Sequence, residues 1–207
     1  MTPKPLFLKG GNRMTSESAT PSYPLFYDIE YPGELSRWKI FVKWLLAIPH
    51  LLIIYAFSSL SSIITTIAWF AILFTKRYPR GLFDMVVNVN RWNANVTAYV
   101  GLFRDEYPPF TWDEGRYPVT YRVDYPAELS RWKIFFKWLL ALPHFVVLMF
   151  LYIAALFLWI AAWFAILFTK RFPQGIFNFL VGVMRWTYRV NAYTNLLRDE
   201  YPPFSLR

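Results

Sequence analysis

The sequence predicts an all-α integral membrane protein made of two tandem helical repeats, each with hydrophobic membrane helices and amphipathic interfacial helices. Three observations predict it. First, residues 44–74 and 138–168 contain no Asp, Glu, Lys or Arg. About 18 such residues already suffice for a membrane-spanning helix. Second, the 207 residues are 56% hydrophobic and 21% aromatic, only 17% are charged, and the formal net charge is +9. A soluble domain carries nearer to about 25% charged residues, so two thirty-residue apolar blocks leave too little polar surface to cover them. Third, sliding the chain against itself by 94 positions aligns residues 24–110 with 118–204 without a gap, and about half the aligned pairs are identical. A repeated unit of this length is an architecture in itself.

The identities fall in three islands. "SRWKIFVKWLLAIPH" begins at Ser36 and "SRWKIFFKWLLALPH" at Ser130; "AWFAILFTKR" occurs at 68–77 and 162–171; "RDEYPPF" occurs at 104–110 and 198–204. Between the first two islands, 51–67 and 145–161 share hydrophobicity but almost no identities. A lipid-facing middle need only be apolar, whereas turns at its ends need particular residues. The organisation read from this is a tail at 1–23, repeat 1 at 24–110, a joint at 111–117 and repeat 2 at 118–204.

Within each unit the first island has helical spacing. Ser36, Lys39, Lys43, Ala47 and His50 recur every three or four residues. Pro49 and Pro143 mark a kink or a new helix start. After the basic turn "KRYPRG", residues 82–103 carry Asp84, Asn88, Arg91 and Asn95 on one polar stripe, and 176–197 carry Asn178, Gly182, Arg185 and Arg189. Helices of this kind lie in the membrane interface. The seven-residue joint is too short for independent domains, so the halves are expected to pack together.

Topology is contested between charge and length. With one crossing per unit, Lys76-Arg77 and Lys170-Arg171 would face opposite compartments, against the positive-inside tendency. Two crossings per unit, a hairpin of 39–57 and 61–74 turning near "SSLSS", put every basic cluster on one side. Each arm is near the lower length limit, however, and residues 50–74 make a good single span. The charge argument takes precedence here, which makes the hairpin the expectation. In either topology the basic and aromatic residues at the ends are the candidate lipid-interface set: Arg37, Trp38, Lys39, Lys43, Trp44, Lys76 and Arg77, with Arg131, Trp132, Lys133, Lys137, Trp138, Lys170 and Arg171. Lys39 and Lys43 are expected to snorkel. Anionic headgroups are the expected partner, and nucleic acid is not.

Little in the chain points to catalysis. With no cysteine there are no disulfides, thiolate metal sites or iron–sulfur clusters. There is no phosphate-binding glycine loop, HExxH or GxSxG motif. His50 and His144, the two histidines, occupy equivalent positions; paired spans presenting them would suit a haem iron. The expectation is instead that each polarises a helix–proline junction, with no cofactor and no metal. Arg104-Asp105-Glu106 and its copy are expected to pair with Arg37/Lys39 and Arg131/Lys133. The N-terminal stretch lacks a signal-peptide h-region; Leu6, Phe7 and Leu8 are its candidate partner anchors.

The strings "YPxELSRWKxFxKWLLAxPH", "WFAILFTKRxPxGxF" and "RDEYPPF" resemble a bacterial membrane-protein family catalogued only as a domain of unknown function. The likeness covers nearly all the chain beyond its first twenty-odd residues, twice over. Members often carry a Gly where this chain has Lys76 and Lys170. The resemblance implies a bacterial inner-membrane location and no established activity; with the spans above, the protein is expected to be multi-pass. The functional expectation is a non-catalytic accessory or scaffold subunit packed against other membrane-protein subunits. A lipid-interacting or small-solute transport protein is the alternative, and a haem-binding redox subunit ranks below both.

Overall fold

The computed structural model describes residues 23–207. In chain order the elements are β1 (Leu25–Ile29), α1 (Lys39–Leu46), α2 (Ile48–Thr75), α3 (Arg80–Val100), β2 (Val119–Val123), α4 (Lys133–Thr169) and α5 (Gln174–Thr194). The fold is mostly helical, and two corrections to the sequence reading stand out.

The first concerns the hairpin. No turn forms at "SSLSS": α2 runs unbroken through it, and α4 runs unbroken through the corresponding stretch. The hydroxyls that read as turn formers bond back into the helix instead. Ser59 donates to Tyr55 O, Ser62 to Ser58 O, Thr65 to Ser61 O and Thr66 to Ser62 O. Such i−4 bonding satisfies a hydroxyl within a helix without opening it. Pro49 does start a new helix, since Ala47 separates α1 from α2, whereas Pro143 lies inside a continuous α4.

The second corrects the all-α expectation. Strands β1 and β2 pair antiparallel, with Tyr27 opposite Tyr121 at the centre. On both strands buried and exposed residues alternate, so Leu25, Tyr27, Ile29, Val119, Tyr121 and Val123 face inward. The pairing joins segments 94 positions apart and binds the two repeats together.

Three layers result. The sheet lies on α3 and α5, where Tyr27 and Tyr121 both pack against the Tyr188 ring and Tyr27 Oη donates to Met184. Beneath them, α3 packs along α2 and α5 along α4. The opposite faces of α2 and α4 form the far side of the molecule.

The two units exchange ends around a pseudo-two-fold axis through the sheet. Leu35 N donates to Lys170 O, and Leu129 N to Lys76 O, each at 2.8 Å. Arg37 donates to Phe168 O at 2.8 Å and Arg131 to Phe74 O at 2.9 Å. Tyr31 donates to Phe172 O, and Tyr125 to Tyr78 O. The start of each unit's long helix therefore meets the end of the other's, so α2 and α4 run antiparallel. Phe41 against Trp163 and Trp69 against Phe135 make the matching side-chain contacts.

Lys76 and Lys170 close α2 and α4 in the left-handed conformation, at φ 59° and 58°. Their N–H groups reach Ile72 O and Ile166 O. This is the helix-ending geometry glycine adopts without steric cost.

Candidate functional site

The dominant surface feature is apolar. Helices α2 and α4 are each long and apolar enough to cross a membrane, and only 17% and 11% of their most apolar stretches lie inside the fold. Core helices of a soluble protein pass the same length test but are mostly buried. Here Leu52, Tyr55, Ile63, Phe70 and Phe74 of α2, and Phe136, Phe150, Phe157, Phe164 and Phe168 of α4, are all at least half exposed. What is buried on these helices is a narrow stripe: His50, Ile54, Ile64, Ala68 and Ile72 on α2, and Ile134, Lys137, Ala141, His144, Leu148, Ala155, Ala162 and Ile166 on α4. A contiguous exposed apolar surface of this extent marks a contact with lipid or protein.

Cations and indoles gather at both ends of this face. Arg37 and Lys39 come together with Lys170 and Arg171 at one end, and Arg131 and Lys133 with Lys76 and Arg77 at the other; all eight are exposed. Trp38 and Trp132 are 83% and 78% exposed, and Trp44 and Trp138 are also largely uncovered.

Lys43 and Lys137 do not belong to this surface, which corrects their assignment as lipid-interface residues and the snorkelling expected of Lys43. Both are buried at 1% exposure. Lys43 Nζ lies 2.7 Å from Asp105 Oδ1 and donates to Arg104 O; Lys137 repeats both contacts with Asp199 and Arg198 O. Each also sits over a tyrosine ring, Tyr99 or Tyr193. Burial pulls the Lys43 ammonium below its ordinary pKa, and the Asp105 carboxylate opposes that. The pairing expected of the acidic segment is corrected as well. Asp105 takes Lys43 and accepts from Ser36 N, while Lys39 reaches only the Asp105 carbonyl and Arg37 goes to Phe168 O. Arg104 pairs with its neighbour Glu106 at 2.7 Å.

The histidines occupy separate clusters, one per unit. His50 Nδ1 accepts from Trp92 Nε1 at 3.1 Å, and His144 Nδ1 from Trp186 Nε1 at 3.0 Å. An indole N–H on Nδ1 fixes the neutral tautomer with its proton on Nε2. Phe110 stacks on His50 and Phe204 on His144, and Tyr107 and Tyr201 tilt against the same rings. The "RDEYPPF" islands are therefore clamps that fold back over the helix starts, with Tyr107 donating to Leu46 O and Tyr201 to Leu140 O. Among the described residues, no group of three or more His, Asp or Glu side chains is placed to hold a metal.

Two arginines of the polar stripes, Arg91 and Arg185, lie under the sheet. Arg91 Nε donates to Tyr121 O, and its guanidinium also meets Asn88, Trp112 O and Glu114. Arg185 Nε donates to Tyr27 O, with Asp28 and Leu206 O on its other nitrogens. A cleft of about 710 Å³ runs along the sheet side of the molecule, lined in part by Arg122, Arg185, Arg189, Asp28 and Asp124. Leu6, Phe7 and Leu8, the expected partner anchors, lie outside the described residues.

No curated protein and no solved structure matches the chain. One family does: "Domain of unknown function (DUF4389)" matches residues 37–111 and again residues 131–205, the two copies that the end-exchanging contacts relate. The chain belongs to that family, as a tandem pair of its domains.

Proposed function

We propose that the protein is a non-catalytic, membrane-embedded scaffold module whose α2–α4 face is solvated by lipid hydrocarbon. The observation that carries this reading is the exposure of that face along its length, with basic and tryptophan residues at both ends. Water would solvate such a surface poorly, whereas acyl chains cost it nothing. The non-catalytic reading rests on how the charged groups are spent. The buried lysines hold Asp105 and Asp199, Arg104 and Arg198 hold Glu106 and Glu200, and Arg91 and Arg185 hold the sheet in place.

Extraction of membranes with alkaline carbonate tests the reading. The protein should stay in the membrane pellet and float with lipid in a density gradient. Release into the supernatant as a folded species would contradict it.

A further inference from the structure

We infer that the protein enters a single leaflet, with α2 and α4 lying in the membrane plane and the β1–β2 sheet facing water. This rests on the membrane-embedded reading and fixes its geometry. Three independent observations carry it.

The first is where the sheet sits. Helix α3 begins beside the end of α2, and the Arg104–Asp105 segment just beyond it closes on Lys43, so α3 runs alongside the α1–α2 rod. Arg91 stands midway along it, and Arg185 midway along α5. These two residues hold the central pair of the sheet, Tyr121 and Tyr27. The sheet is therefore level with the middle of the long helices. Upright helices would put Asp28, Glu30, Arg122 and Asp124, together with both open edges of a two-stranded sheet, at the bilayer midplane. Hydrocarbon offers those edges no hydrogen-bond partners.

Length is the second. Helix α4 has 37 residues, about 55 Å at 1.5 Å per residue, against a hydrocarbon core of about 30 Å. Its exposed large apolar residues run from Phe135 to Phe168, so an upright helix would leave apolar surface in water.

The third is charge symmetry. The pseudo-two-fold axis passes through the sheet and lies across the helices. In the upright orientation it would place the near-identical basic ends on opposite sides of the membrane. In the flat orientation it stands along the membrane normal and holds Arg37, Lys39, Lys170 and Arg171 at the same depth as Arg131, Lys133, Lys76 and Arg77. All eight then meet the headgroups of one leaflet. An anionic leaflet is the partner this fits.

The chain has no cysteine, so single substitutions report cleanly. Thr75→Cys, Thr169→Cys and Thr120→Cys sit at the two helix ends and on the water-facing side of the sheet. In intact cells and in inverted vesicles, a membrane-impermeant maleimide should reach all three from the same side. Spin labels at Leu139→Cys, Phe150→Cys and Phe164→Cys, reconstituted in vesicles containing anionic phospholipid, should report nearly equal depths within one leaflet. Labelling of Thr75→Cys and Thr169→Cys from opposite sides would overturn the inference, as would a depth profile that is deepest at 150 and shallow at 139 and 164. Spin labels shielded from both lipid and water would show that protein covers the face, which also overturns it. The carbonate result stands apart from these, so failure of the orientation and failure of membrane embedding are distinguishable.

Discussion

Lys43 Nζ and Asp105 Oδ1 form an ion pair at 2.7 Å with the lysine side chain almost wholly buried, and Lys137 with Asp199 repeats it at 2.8 Å. The pair joins the start of a unit's long helix to the chain leaving its amphipathic helix. Removing one partner of a buried pair strands the other charge, at about 3–5 kcal/mol. Asp105→Ala should therefore destabilise by about 3 kcal/mol, and Asp199→Ala by a similar amount. Lys43→Met combined with Asp105→Ala should cost less than the sum of the single changes. Thermal unfolding in detergent, run as a double-mutant cycle, reads all of these.

Trp92→Phe and Trp186→Phe probe the histidine clusters. Each removes the N–H that the buried histidine accepts. An unpaired buried acceptor costs about 1–3 kcal/mol. The two substitutions should lower stability by comparable amounts, and His50→Phe added to Trp92→Phe should recover part of the loss. A Trp92→Phe protein as stable as its parent would mean that the hydrogen bond carries no weight.

The duplication, the apolar blocks and the amphipathic helices were legible because each is a local or fixed-interval pattern. The sheet was not, although Val119, Tyr121 and Val123 alternate with the polar Thr120 and Arg122. A five-residue strand is specified by a partner 94 positions away, and local periodicity does not see it. The hairpin failed for the opposite reason. Serine and threonine read as turn formers, but inside a long apolar helix they bond the carbonyl four residues back. Lys43 and Lys137 read as interfacial because lysine beside an apolar block normally snorkels. What buries them is Asp105 or Asp199, 62 residues further on. The clamp role of "RDEYPPF" was equally hidden, since Tyr107 and Phe110 gain meaning only against His50.

Lys76→Gly and Lys170→Gly should stabilise the protein. Both lysines hold positive φ, where a side chain costs about 1–2 kcal/mol that glycine does not. The greater freedom of an unfolded glycine offsets part of this, leaving a net gain of about 0.5–1 kcal/mol per site. Chemical denaturation of the two single variants and the double variant measures it.

Alkaline pH should loosen the sheet. Burial, reinforced by Tyr188, pushes the Tyr27 phenol well above its ordinary 10.0, and the same causes raise Tyr121. The folded protein then keeps protons that the unfolded chain releases. Their contribution to stability is complete below pH 10.0 and declines as pH rises above it. In a titration followed at 295 nm, these two tyrosines should ionise only together with loss of near-ultraviolet circular dichroism. Their early ionisation in a folded protein would contradict the burial.

Polarised infrared spectroscopy on aligned bilayers reads the orientation of the helices in the membrane. The long helices α2, α3, α4 and α5 run alongside one another, so the amide I transition moments share one direction that a single dichroic ratio reports. Helices embedded flat in one leaflet should give amide I absorption polarised in the plane of the membrane. Amide I absorption polarised along the membrane normal would contradict that orientation.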